Sequence, residues 1–192
     1  MCDAGLALVS YYYFDFKDIA KQDIRGLVTS LLAQLCAQSD SCYDVLSKMY
    51  LEDLAGSLPP DNHALMKCLV KILQLPRQPT IYIIVDALDE CPKTARFIKT
   101  RRDEVLDLLE ELVNLNLPNL HICVTGHPDI DIRNVLEPLA SHHISLHDES
   151  GQKKDILDYI TTAVRADPNM QRWRLEDKQL IINTLSAKVD GM

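Results

Sequence analysis

A chain of 192 residues, 47% hydrophobic and 25% charged, has the make-up of an ordinary globular protein, long enough for one domain and part of a second. Its 28 acidic against 20 basic residues leave a net charge of -8, which argues against a nucleic-acid module with a basic face for phosphates. Its apolar runs fall far short of the roughly 20 residues of a membrane span, and no charged-then-apolar leader follows Met1, so the chain reads as cytoplasmic, with neither nucleic acid nor membrane as partner.

In chain order the pattern alternates strand and helix. Leu6–Phe16 is dense in aromatic and aliphatic residues and predicts a buried strand. Asp23 is a capping residue for a helix through Gln38, with Ile24, Leu27, Val28, Leu31, Leu32 and Leu35 on one stripe. A shorter helix is expected over Cys42–Asp53, and the Gly56–Pro60 segment breaks the chain. Asp61 caps a third helix through Leu75, with Leu65, Leu69, Ile72 and Leu73 facing inward. Between prolines, Thr80–Val85 is a continuous apolar run, as expected for a strand covered on both faces. A helix over Asp103–Leu115, a buried strand over Leu120–Thr125, a short helix over Asp129–Pro138 and a brief strand over His143–Leu146 follow. Helices over Gly151–Arg165 and Leu175–Lys188 close the chain, with Trp173 as a packing anchor between them. Strands separated by helices specify an α/β fold, a parallel sheet with helices on both faces and a helical tail.

The six cysteines include no C-x-x-C pair, and Cys36, Cys68 and Cys123 fall at apolar positions where a thiol acts as a small hydrophobe. His121 shares a strand face with Cys123, and His142, His143 and His147 lie close in sequence, yet no further ligands converge on either group. The sharpest chemical signal is Ile81–Glu90, IYIIVDALDE. Asp86 ends an apolar strand and presents a carboxylate at the carboxyl edge, where ligands gather in parallel sheets. Asp89 and Glu90 follow within one turn. A strand-end Asp suits magnesium, and a neighbouring acid can orient or deprotonate an attacking water. The competing reading is a solvated loop with a helix-capping Asp. Lys93, Arg96, Lys99, Arg101 and Arg102 then form a basic segment that reads as a solvated loop with helix N-terminal flanks, the alternative being a contact with phosphate or a partner's acidic surface. No G-x-S-x-G elbow is present, so a serine hydrolase has no support.

The segments Tyr11–Asp18, Arg25–Leu35, Ile81–Pro92, Glu104–Val113, Leu117–Leu139 and Ser145–Ile160 resemble the NACHT family of signalling P-loop NTPases, in particular its fungal branch with nephrocystin-type N-terminal domains. DALDECP and LHICVT are the most specific parts. The resemblance implies a P-loop NTPase-like parallel sheet, ATP or GTP with Mg2+ as cofactors, and a larger multidomain parent or its homo-oligomer as partner. It assigns the Walker B metal role to Asp86, catalytic roles to Asp89 and Glu90, and nucleotide sensing to Thr125 and His127. It divides the chain into a nucleotide-binding core at 1–149 and the start of a helical subdomain at 150–192.

Two departures qualify that expectation. None of the six glycines (Gly5, Gly26, Gly56, Gly126, Gly151, Gly191) precedes a lysine and no two are five apart, so no G-x-x-x-x-G-K-[ST] is present. The chain is therefore expected to lack the first, phosphate-loop strand of the family and to be inactive alone. Where the family reads T-S-R-P, this chain has Thr125-Gly126-His127-Pro128, and a histidine cannot fork onto phosphate as an always-charged arginine does. A non-catalytic protein-interaction module is the alternative. With the phosphate-loop strand missing, the sheet order that the resemblance implies reduces to a three-stranded parallel core, ordered Leu6–Phe16, Ile81–Val85, Leu120–Thr125, with His143–Leu146 detached or slid across to pair with Leu120–Thr125.

Overall fold

The computed structural model describes residues 7–53, 59–93, 95–96, 99–145 and 150–188. Strand β1 (Ala7–Tyr13) leads into helices α1 (Ile24–Gln38), α2 (Asp40–Asp53) and α3 (Asn62–Leu73), and then the central strand β2 (Thr80–Asp86). A two-residue antiparallel pair, β3 (Ala95–Arg96) and β4 (Lys99–Thr100), precedes α4 (Arg101–Asn114), β5 (Leu120–Val124) and α5 (Ile130–Leu136). Helices α6 (Ser150–Ala166) and α7 (Leu175–Lys188) pack on each other in a second compact unit, the division falling between Ala140 and Ser141.

The main sheet has three parallel strands in the order β1-β2-β5. That is the expected core, and His143–Ser145 lie outside any strand, Leu146 being outside the described residues. The register sets Leu8, Ser10 and Tyr12 beside Ile81, Ile83 and Val85, and these beside Leu120, Ile122 and Val124, all on one face. Helix α1 is the centre of the packing on that face and touches β1, α2, α3 and α4. Its Ile24, Leu27, Val28, Leu31, Leu32 and Leu35 are all buried, as the stripe requires.

The expectation that β2 is covered on both faces does not hold. Its burial alternates, and the opposite face of the sheet carries Tyr11, Tyr13, Tyr82, His121 and Cys123, all exposed. Tyr82 stacks on His121 across the strands, with ring centroids 5.1 Å apart. The aliphatic composition of TIYIIV hides this alternation, because Ile84 on the open face is as apolar as its buried neighbours. Trp173, expected as a packing anchor, is half exposed.

Caps fall where the side chains dictate. Asp23 Oδ1 accepts from the Gly26 amide at 3.0 Å and Asp61 Oδ1 from the Ala64 amide at 2.8 Å. Helix α4 starts two residues earlier than the apolar spacing alone indicates, because Thr100 and Asp103 form a reciprocal capping box. The outer edge of β1 is sealed by side chains. Gln34 of α1 accepts from the Tyr11 amide at 3.0 Å and donates to its carbonyl at 2.8 Å; Gln38, one turn on, does the same for Val9 at 3.0 and 2.7 Å. Two carboxamides thus imitate a neighbouring strand and blunt an edge that would otherwise recruit another chain.

Ser10 is a local defect in this core: its hydroxyl is fully buried and has no hydrogen-bond partner. Ser10→Ala should therefore raise the stability by about 1 kcal/mol, since it removes the desolvation penalty of an unsatisfied hydroxyl. A higher urea midpoint with an unchanged slope is the expected readout; a lower midpoint would mean that the hydroxyl is satisfied.

Candidate functional site

The carboxyl edge of the sheet gathers the candidate residues. Asp86 is the last residue of β2, and Thr125 directly follows β5 on the adjacent strand. The Thr125 hydroxyl donates to Asp86 Oδ1 and accepts from the Ala87 amide at 3.3 Å. Backbone bonds zip the two strand ends together: the Thr125 amide donates to the Val85 carbonyl at 2.9 Å, and the Leu88 amide to the Thr125 carbonyl at 3.0 Å.

Beyond Asp86 the chain turns sharply. Ala87 adopts the left-handed region (φ 54°, ψ 45°), a conformation that costs a non-glycine residue roughly 1–2 kcal/mol. A single 3-10 turn, Leu88–Glu90, follows, and Leu88 drives into the core with no exposed surface. That buried leucine offsets the backbone strain and holds the acids at the rim. Asp89 Oδ1 accepts from the His127 amide at 2.9 Å, and Glu90 Oε2 from the Phe16 amide at 3.1 Å beyond β1. The three acids are therefore pinned to two loops, Asp86 and Asp89 to Thr125 and His127 after β5, and Glu90 to Phe16 after β1. The His127 ring is exposed, its Nδ1 3.6 Å from Asp129 Oδ1, so its contact is with α5 rather than with the strand-end acid.

The oxygen donors at the end of β2 fit magnesium, which keeps much of its water and takes one or two carboxylates together with phosphate oxygens. Asp86 with Thr125 beside it would hold such an ion. No group of three His, Cys, Asp or Glu side chains forms an all-protein cage among the described residues. The sequence contains no G-x-x-x-x-G-K-[ST], the pattern whose backbone amides and lysine cradle phosphate.

A family model described as nephrocystin 3, N-terminal, matches residues 2–127, about two thirds of the chain, and the match takes in Asp86, Asp89, Glu90, Thr125 and His127. The chain belongs to that family. No match was found among curated proteins or solved structures. In this nephrocystin-type N-terminal domain the α/β sheet and its acid-bearing central strand lie within the matched region, and α5 lies beyond it.

The reading of the basic segment as a solvated loop needs correction at Arg102. This side chain is only 4% exposed and donates to the Cys91 carbonyl from Nε at 2.9 Å, to the Asp89 carbonyl from Nη2, and to Asp129 Oδ2 from Nη1 at 2.7 Å. Lys93 reaches Asp129 and Asp131 at 3.2 and 2.9 Å from the solvent side. Arg102 shares the buried stripe of α4 with Val105, Leu106 and Leu109, and this spacing was the available signal. Gly126 was also missed. A Cβ there would lie 3.0 Å from Asp89 Oδ1 and 3.3 Å from two backbone nitrogens, so the close approach of the two loops requires glycine.

The electrostatics give a pH prediction. The Arg102 and Lys93 hydrogen bonds hold the Asp129 carboxyl below its usual value. Burial pushes the Asp131 carboxyl up, but the Lys93 hydrogen bond and the nearby charges outweigh it, and the net shift is downward. A carboxylate with a lowered folded-state pKa contributes stability that is complete above about pH 4 and is lost as the pH falls through the lowered value. The Lys93 ammonium is held in its charged form chiefly by Asp131 and then Asp129, so its share persists below about pH 10 and goes only as the pH rises through its raised value. Carboxyl carbon NMR titration should give midpoints for both aspartates under about 3.9, and Arg102→Met should move that of Asp129 upward. Midpoints at or above the ordinary aspartate value would contradict the arrangement.

Proposed function

We propose that this chain is the Walker B and sensor portion of a nucleotide-switched signalling NTPase of NACHT type, acting in the cytoplasm within a larger multidomain protein or its homo-oligomer. The observation that carries the reading is the carboxylate of Asp86 at the carboxyl end of the central strand, hydrogen-bonded by the Thr125 hydroxyl from the next strand. In this reading Asp86 holds Mg2+ directly or through its water shell. Thr125 orients that carboxylate and senses the state of the site. Asp89 and Glu90 are the acids that orient water, and His127 stands where the family places its sensor arginine. Bound Mg2+ with ATP or GTP would supply the charge neutralisation of phosphoryl transfer. The amide cradle and its lysine would have to come from outside these residues, so the 192-residue chain alone should bind nucleotide weakly and hydrolyse it negligibly.

A second reading, a non-catalytic interaction module, is favoured by one observation. Asp89 and Glu90 each spend a carboxylate oxygen on a backbone amide, as structural ties do.

Calorimetry and amide NMR with Mg-ATP and Mg-GTP separate the two. The nucleotide reading expects magnesium-dependent shifts at Asp86 and Thr125, with dissociation constants on the order of 1 mM, abolished in Asp86→Asn. No shift at either residue at ~10 mM nucleotide would favour the interaction module. Magnesium-dependent binding in the micromolar range would overturn the claim that a cradle is needed.

A further inference from the structure

Among the described residues, Arg102 is the only charged side chain that is buried. A buried guanidinium is tolerable only when its donors are matched, and the matching here spans two separate loops. Nε and Nη2 donate to the Cys91 and Asp89 carbonyls, in the turn after β2. Nη1 donates to Asp129 Oδ2 at 2.7 Å and lies 3.3 Å from Asp131 Oδ2, at the start of α5, after β5. The carboxylate of Asp129 is thereby used for the bridge and makes no side-chain cap on α5. Asp89 is gripped from both sides, its carbonyl by Arg102 and its carboxylate by the His127 amide at 2.9 Å.

We infer that Arg102 is a positioning residue that couples the two loops at the carboxyl edge, so that a displacement of residues 125–129 carries the turn of residues 86–91 with it. The planar fork is what makes the coupling rigid. Its donors leave in fixed directions, so both loops must keep their places relative to one group, and that group is set in the first turn of α4, which packs against α1. A lysine at this position would supply the charge as a point and would satisfy one loop at a time. The consequence for a bound cation rests on the nucleotide reading above; the mechanical coupling does not.

Amide hydrogen exchange on the full 192-residue chain tests this inference. The Glu90 and Cys91 amides, which bond the Ala87 and Leu88 carbonyls inside the turn, report one loop, and the His127 amide reports the other. Arg102→Lys and Arg102→Met should each speed exchange at all three by about tenfold, while Ile83 in β2 and Leu69 in α3 stay within about threefold of wild type. Asp129→Asn weakens only the α5 side, replacing the charged acceptor of the 2.7 Å bond by a neutral one while Asp131 stays, yet it should also speed Glu90 and Cys91, which Asp129 does not touch. Full protection in Arg102→Lys would overturn the inference, as charge alone would then suffice. It would equally be overturned by the same acceleration at every amide, which marks a purely structural role, or by an effect of Asp129→Asn confined to α5. If Arg102→Met does not fold, the lysine and Asp129→Asn variants decide the matter by the same readout. Titration with magnesium chloride alone keeps the two proposals apart. Intact coupling without magnesium shifts at Asp86 supports the role of Arg102 and counts against the cation reading, whereas magnesium shifts without coupling overturn the role of Arg102.

Discussion

Leu88→Ala should lower the stability of the chain by about 2–5 kcal/mol, the range for a leucine whose cavity cannot collapse. Leu88 has no exposed surface and packs in the same core as Val85, Ile83 and Leu109. It is also the apolar anchor of an otherwise acidic turn, sitting between Asp86 and Asp89 and preceded by the strained Ala87. With the anchor cut back, Cys91 is the one residue of similar burial left in the turn of residues 86–91, and the loss should exceed that of a leucine at the edge of the core. Urea unfolding measures the first effect. Amide shifts at Asp86, Asp89 and Thr125 measure the second, and they should move although none of these residues is changed. A loss under about 1 kcal/mol would show that the turn stands on its hydrogen bonds alone.

Gly26→Ala should cost about 1–3 kcal/mol, and more if α1 has to tilt. A Cβ at Gly26 would overlap the Ala20 carbonyl oxygen and come within 2.6 Å of the Tyr12 hydroxyl. The Tyr12 hydroxyl donates to that same carbonyl at 3.3 Å, so both groups are tied together and neither can retreat cheaply. Alanine is ordinarily the better helix former by about 1 kcal/mol, so the prediction runs against intrinsic propensity and rests on the close approach alone. Thermal and urea unfolding should both show the loss; a more stable Gly26→Ala would mean that the turn at Ile19–Lys21 yields easily.

These two sites differ in how visible they are from the amino-acid order. Leu88 carries a partial clue, as the one large apolar residue among the acids of D-A-L-D-E. Gly26 offers no such clue, since the atoms that forbid a side chain belong to β1 and to the turn after it.

The same division runs through the whole molecule. Periodicity, caps and breakers are local, and they specified α1, α3, the α/β character and the place of Asp86 at the end of β2, whereas the order of the three strands came from the family resemblance. The acid-bearing strand could be recognised as the chemical centre because a carboxylate ending a run of five aliphatic and aromatic residues is a local pattern too. Partner choice is not local. Gln34 and Gln38 look like the polar face of an amphipathic helix, and only the packing of α1 beside β1 turns them into the seal of a strand edge. Asp89 meets the amide of a residue 38 positions on, and Arg102 finds carboxylates at 27 and 29 positions on, so their roles depend on which loops the sheet order brings together. One uncovered sheet face and one buried arginine were likewise settled by tertiary contact, because burial depends on neighbours that the spacing of a single segment does not specify.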